Sequence, residues 1–594
     1  MPSRKLWVAL PLIFASFCSI RTPSAAYSAS SLAEGQTLAS PFPYQFPVFQ
    51  DGPSADETDF PIPLCNNFKL EEASIDQLQD AMSDGKLTSV QIVECYLQRV
   101  HQVDQYLRAI MEINPDALSI SASLDLERTQ GHIRGPLHGI PFLAKDNIAT
   151  KDKMETTAGS WALLGSIVPR DAYVVHKLRQ TGAVLMGHAA MSEWADMRSN
   201  LYSEGYSPRG GQCRSPYNFT VNPGGSSSGS AVAVTANMVT FSLGTETDGS
   251  ITNPADRNAL VGIKPTLGLT SRDGTIPSSH NLDTIGCFAR TVRDATYCLD
   301  AIYGPDPDDN YTLNQVTPLH GYTPFLATSS VLKDAKFGIP WLSFWQYASP
   351  SQKSHLSSFL SLIESAGATI INNTELPSRN QIIPPYGWDW DYGSVRGYPN
   401  ESTYTVAKVD FYNDIGRYLS ELNNSDIRSL EDIVRYNVEN VGEEGGIPGV
   451  HPAFKSGQDG FLASMVAKGV MDETYWQALS YIRRMSREEG IDAALFNKGD
   501  RLDALLVPSD VRQGYNVAAM AGYPVVTIPG GINATSAMPY GLALMGTAWS
   551  EGELIKLASA IEDVARGTVF DRQSVWMKPR WWGYRRKNVP VEEF

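Results

Sequence analysis

Three short segments carry residue types that could perform acyl transfer if the fold brought them together. Lys145 ends the run Gly139-Ile-Pro-Phe-Leu-Ala144. Ser226 stands in Pro223-Gly-Gly-Ser-Ser-Ser-Gly-Ser230. Ser250 follows Asp248 and Gly249 in Gly244-Thr-Glu-Thr-Asp-Gly-Ser-Ile251. A lysine at the end of an apolar strand starts from a dry place. Burial there disfavours its ammonium form and lowers its pKa, and a neutral lysine is a competent general base. Taken alone, the segment fits a surface lysine at a strand end better. Glycine before Ser250 lets the backbone turn tightly and approach a substrate. The N–H of Ser250 and those just before it can then form an oxyanion hole. Serine is a poor nucleophile without a base. Of nine histidines, none sits in a segment organised around one: His138 and His188 lie inside other motifs, and His451 precedes a proline.

The Ser/Gly run has three readings. As low complexity it would be a linker, but it is short and lies between structured-looking segments. Gly225-Ser-Ser-Ser-Gly229 formally matches a nucleophile elbow on Ser227, yet Asn222-Pro223-Gly224, which is turn chemistry, runs in where a strand is needed. As an active-site loop it offers hydroxyls and backbone N–H groups around a small polar centre. No Lys-Ser/Thr follows its glycines, nor those of Gly182-Ala-Val-Leu-Met-Gly187, so neither is a phosphate-binding loop.

Taken in order, these segments resemble the amidase signature family of serine hydrolases, with peptide-amidase-like and fungal members nearest. The resemblance runs from about Ile75 to about Glu562. It includes Gly182 to Trp194 (GAVLMGHAAMSEW), Leu260 to Thr266 (LVGIKPT), Asp283 to Asp294 (DTIGCFARTVRD) and Ala521 to Gly530 (AGYPVVTIPG). It implies that Lys145 is the catalytic lysine, that Ser226 is the bridging serine after a cis peptide bond, and that Ser250 is the nucleophile. The backbone N–H groups of Thr247, Asp248, Gly249 and Ser250 would form the oxyanion hole. It implies a small-molecule or peptide amide as substrate, with no metal and no organic cofactor. Two departures stand out: Asp248-Gly249 where the family often has Gly-Gly, and His188 where many members have lysine. Three alternatives remain: an α/β-hydrolase-type esterase using Ser227, which requires a histidine beside it; a non-catalytic binding protein on an amidase scaffold; and an ammonia-transferring amidotransferase subunit.

The elements that must position these residues are legible in part. Residues 75–103 read as two helices with a cap at Thr88-Ser89. From about 135 to 300, short apolar runs alternate with Gly-rich turns and with helical stretches such as Tyr173 to Gln180. The runs 139–144, 183–186, 231–234 and 239–243 read as strands, and strand-like runs return at 504–508 and 524–529. A final helix is expected at about 551–565. This alternation predicts an α/β fold, a mixed β-sheet of many strands flanked by helices on both faces. One domain is expected over 68–594. Its catalytic core would be at about 135–300 and 500–565, and a more helical pocket part at about 305–495, with an aromatic-rich stretch at 384–398 that could line a pocket.

Composition bounds the partners. The 594-residue chain has net charge −16, with no long Lys/Arg run, which argues against nucleic acid. Arg4 and Lys5 precede an apolar run of about 15 residues and then small residues, the layout of a signal peptide and too short for a membrane span. We expect a leader over 1–26, an arm or linker over 27–67, and a secreted, extracellular protein with no stable membrane span. Sequons at Asn218, Asn310, Asn372, Asn400, Asn423 and Asn533 fit a glycoprotein. Without Cys18, five cysteines remain, so at least one is left over from pairing within the chain.

Overall fold

The computed structural model describes residues 60–383, 402–497, 499–574, 578–581 and 590–591. Its centre is an 11-stranded mixed sheet. In chain order the strands are β1 Ile110–Ile113, β2 Pro141–Lys145, β3 Val184–Ala189, β4 Phe241–Glu246, β5 Val261–Lys264, β6 Thr284–Ala289, β7 Lys336–Ile339, β8 Thr369–Asn372, β9 Ala504–Pro508, β10 Val525–Ile532 and β11 Pro539–Met545. Across the sheet they run β1-β3-β2-β4-β6-β5-β10-β11-β9-β7-β8. The neighbours β3, β2 and β4 are parallel, as are β9, β7 and β8. All other neighbours are antiparallel. Every residue of β2, β3 and β4 is buried. That explains why β2 and most of β3 read as apolar runs without the alternation of a half-solvated strand, whereas β4 buries Ser242, Thr245 and Glu246 among its apolar residues.

The sheet is covered on both faces, and β4 shows how. Ser242 Oγ donates to Ser230 O at 2.8 Å and Ser230 Oγ to Leu243 O at 2.9 Å, which seats the helix Ser228–Thr235 on the Ser242 face. The next residue, Leu243, points the other way and stands opposite Cys287 of β6. Cys287 is disulfide-bonded to Cys298 in the helix Val292–Ile302. Because side chains alternate along a strand, these two helices lie on opposite faces.

The run 231–234 is a correction. It reads as a strand by apolarity but lies within the helix Ser228–Thr235, all eight residues of which are buried. A helix buried on every side has no amphipathic period, so a four-residue Ala/Val run cannot reveal its state. What fixes the helix is a backbone crossing. Gly229 N donates to Ala190 O at 2.8 Å. A Cβ at position 229 would stand 2.3 Å from Ala109 O and 2.5 Å from Ala190 N and O. Only glycine allows this approach, and it pins the Ser226–Ser228 loop to the end of β3.

The helices Ile75–Ser83 and Ser89–Leu107 start with capping boxes, Ser74 with Gln77 and Thr88 with Gln91. Each satisfies two N–H groups that a helix end leaves unpaired. A disulfide joins Cys65 to Cys95, and Arg99 Nη1 and Gln102 Nε2 donate to Phe60 O and Pro61 O. The last residues of the expected arm, 60–67, therefore lie against the second helix. The rest of the arm and the 1–26 leader fall outside the described residues, as does the aromatic stretch 384–398. Residues 305–495 hold the helices Pro350–Ser365, Thr403–Glu421, Leu430–Glu439, Asp459–Ala467 and Glu473–Ser486. The same stretch also supplies β7 and β8, at one edge of the sheet. Among the described residues, no helix is long and apolar enough to cross a membrane.

Candidate active site

The fold brings Lys145, Ser226 and Ser250 into one hydrogen-bonded line. Lys145 is the last residue of β2 and its side chain is fully buried. Its Nζ donates to Ser226 Oγ at 2.7 Å, to Thr245 Oγ1 at 3.0 Å and to Thr245 O at 3.3 Å. Ser226 Oγ donates in turn to Ser250 Oγ at 2.9 Å. The Gly225–Ser226 peptide bond is cis, and Ser226 O accepts from Ser192 N. Burial pushes the Lys145 amine down to about 7, against the nearby carboxylates of Asp196, Glu204, Asp283 and Glu246, each of which favours the ammonium. An amine titrating there exists in both forms near neutrality, so it can take up and return a proton.

Ser250 lines a cavity of about 150 Å³, together with Gly225, Thr247, Asp248 and Gly249. Three ties hold the turn that carries it. Glu246 Oε2 accepts from Ile251 N at 2.7 Å, Thr252 N at 2.8 Å and Thr252 Oγ1 at 3.1 Å. Thr247 Oγ1 donates to Asp283 Oδ1 at 2.7 Å, and Asp283 Oδ2 accepts from Ser278 N and Ser279 N. Asn253 N donates to Gly249 O at 2.8 Å. Gly249 has φ +79°, a region that residues with a Cβ avoid. Burial raises the Asp283 carboxyl to about 6, although these three donors and Arg272 favour its charge. Sequence alone points to no role for Thr245, Glu246 or Asp283. All three lie inside segments it singled out, but only the turn's three-dimensional path shows what they hold.

The opposite wall comes from residues 195–204. Trp194, Ala195 and Asp196 follow one another at φ +52°, +51° and +73°. Three such residues without glycine are costly and need a rigid frame. Trp194 N donates to Ala158 O. Buried Arg198 bridges Glu193 and Glu444, and Glu444 Oε1 accepts from Trp161 N at 2.8 Å and Ser160 Oγ at 3.2 Å. Burial, reinforced by the charge of Glu193, holds Glu444 well above the usual carboxylate range.

Ser227 does not face this cavity. Its hydroxyl donates to Thr245 O at 3.0 Å and accepts from Thr245 N at 3.3 Å, so backbone groups rather than a histidine hold it. His188 bonds Asp146 and Thr150, His138 bonds Leu124 O, and His451 packs on Tyr206 and Phe454. These are structural contacts. A much larger cleft, about 960 Å³, lies beyond Asp283, lined by residues such as Arg272, His280, Tyr311 and Asp414. Ser250 is not in its wall; its hydroxyl opens on the smaller cavity.

The sequence and fold resemble known proteins over most of the chain. The family model Amidase matches residues 91–420. A Schizosaccharomyces pombe protein named as an amidase is 56% identical over 541 residues, 90% of each chain. One from Arabidopsis thaliana is 40% identical over 506 residues, 84% of this chain and 91% of its own. Among solved structures, the peptide amidase of Stenotrophomonas maltophilia is 38% identical with a TM-score of 0.73, over 84% of this chain and 98% of its own. A peptide amidase bound to the competitive inhibitor chymostatin is also 38% identical, with a TM-score of 0.72, over 83% and 98% of the two chains.

The geometry predicts that a fluorophosphonate probe labels Ser250, because its hydroxyl opens on the cavity while that of Ser227 is tied to Thr245. Peptide mapping of the adduct checks this, and an adduct on Ser227 would contradict it.

Proposed function

The chain belongs to the amidase family and is a hydrolase of amide C–N bonds, and on that footing we propose that it works through an acyl-enzyme on Ser250, with Ser226 and Lys145 relaying the proton. The observation that carries this reading is the continuous line from Lys145 Nζ through Ser226 Oγ to Ser250 Oγ. With Lys145 as ammonium, each group donates toward Ser250. With Lys145 neutral, the hydroxyl protons turn and the line runs the other way. Ser250 then gives its proton to Ser226 as Ser226 gives its own to Lys145, and Ser250 Oγ attacks the amide carbonyl. The oxyanion forms against the N–H groups of Thr247, Asp248, Gly249 and Ser250, whose turn is fixed before the reaction begins. Lys145 returns its proton through Ser226 to the leaving nitrogen, the C–N bond breaks, and water hydrolyses the ester.

The substrate class is a small-molecule or peptide amide. The likeness to a peptide amidase, with chymostatin as competitive inhibitor in one structure, supports it. Replacing Lys145 with methionine, or Ser226 with alanine, should lower kcat by about a hundredfold or more, read as ammonia or amine released from a panel of amides. Full activity in Ser250→Ala would sink the proposal.

Secretion is a second part of the proposal. The leader-like N-terminus supports it, and so do the two disulfides, Cys65–Cys95 and Cys287–Cys298, since such bonds persist in oxidising compartments. The sequons differ in exposure. Asn310, Asn372 and Asn423 are exposed. Asn218 is buried, with Nδ2 donating to Ser536 O and Oδ1 accepting from Thr220 N and Oγ1. Expressed in a eukaryotic host, the protein should reach the medium with sugars at exposed sequons and none at Asn218, by glycopeptide mapping. Retention in the cell with the leader uncleaved would contradict secretion.

A further inference from the structure

The chain that follows β9 reaches back to the loops of both serines. Asn516, buried in the helix Arg512–Ala521, donates from Nδ2 to Asp248 Oδ2 at 3.1 Å. The ring of Tyr515 lies on Gly249. A Cβ at position 249 would stand 2.5 Å from its Cε2 and 2.6 Å from its Cδ2. Just before this helix, Asp510 Oδ1 accepts from Asn253 Nδ2 at 2.7 Å and Asp510 Oδ2 from Arg257 Nη1 at 3.2 Å. Asn253 Oδ1 accepts in turn from Gly225 N at 3.2 Å, the residue before Ser226. The segment 510–516 is thus set against the Ser226 loop by one end and against the Ser250 turn by the other.

We propose that Asn516 and Tyr515 are positioning residues for the oxyanion-binding turn, acting through Asp248 and Gly249. The inference rests on the reading of Ser250 as the acylated serine. Glycine at 249 gives the turn the φ it needs but also leaves it more freedom than any other residue would. Donors that stabilise an oxyanion must be held in place before the charge develops, and displacement of about 1 Å can cost about a hundredfold. Two contacts remove that freedom: the amide of Asn516 holds the side chain before Gly249, and the Tyr515 ring covers Gly249 itself. A glycine at position 248 would have no side chain to accept from Asn516, so the tie could not form. The aspartate side chain thus anchors its own backbone N–H, and Asn516 should matter to the turn only while Asp248 is present.

A double-mutant cycle tests this. Asn516→Ala should lower kcat about tenfold, an effect smaller than removal of a whole oxyanion donor, with KM within about twofold. Affinity for an aldehyde that mimics the tetrahedral intermediate should fall by the same factor as kcat. In an Asp248→Gly background, Asn516→Ala should add no further loss. An equal loss in both backgrounds, or a rise in KM alone, would overturn the inference. Tyr515 is only half-buried, so Tyr515→Ala gives the same kcat and aldehyde readouts if Asn516→Ala does not fold. Fluorophosphonate labelling of each variant separates the two ideas. Label on Ser250 with no kcat loss refutes the positioning role alone, whereas activity in Ser250→Ala refutes the reading beneath it.

Discussion

The site depends on one buried amine. Lys145 Nζ lies in a fully dry place at the end of β2, and its hydrogen-bond partners are Ser226 Oγ and the two oxygens of Thr245. Water would hold that amine as an ammonium throughout the physiological range. Desolvation brings it down to about 7, and four nearby carboxylates keep it from falling further. That balance makes a lysine usable as a base beside a serine. It also explains why the strand before it is apolar throughout and flanked by two parallel neighbours.

The rest of the fold can be understood as holding two hydroxyls in line with that amine. Ser226 and Ser250 leave the sheet on different paths, one before a buried helix and one after β4. Each loop is fixed by contacts far away in the chain. Gly229 presses the first against the end of β3. Glu246, Asp283 and the 510–516 segment hold the second. The strained turn at 194–196 forms the facing wall and is braced by buried Arg198 between two glutamates. Polar groups this deeply buried need partners to be tolerable. The same partners leave Lys145, Ser226 and Ser250 little room to move.

The strands that lead into Lys145 and Ser250 were legible in part: the fully buried Pro141–Lys145 leaves a clear apolar trace, while Phe241–Glu246 was reached only through its overlap with the apolar run 239–243. The two helices expected over 75–103 were legible from their apolar spacing and from Thr88, which caps the second; the Ser74 cap and the capping glutamines became apparent only in the structure. The helix Ser228–Thr235 was not, since it is buried all round and shows no period. β7 and β8 were also missed: they lie at one edge of the sheet, and β8 is a half-buried Ile370-Ile371 pair between exposed ends. Lys145, Ser226 and Ser250 were named from the order of the motifs in the chain. Thr245 and Asp283 were within reach, since each lies in a segment already singled out. Tyr515 and Asn516 were not, because a helix more than 260 residues from the turn it supports announces nothing about that contact in its own spacing.

The most direct test of the buried-amine account is the pH dependence of kcat/KM for a neutral amide, which reports the ionisation of the free enzyme. Lys145 is protonated below its pKa and cannot accept the relayed proton. Activity should therefore rise through about pH 7 and level off above it, while Asp283, titrating near 6, can steepen the acid limb. A profile flat from about pH 5 to about pH 9 would contradict a neutral lysine as the base at this site.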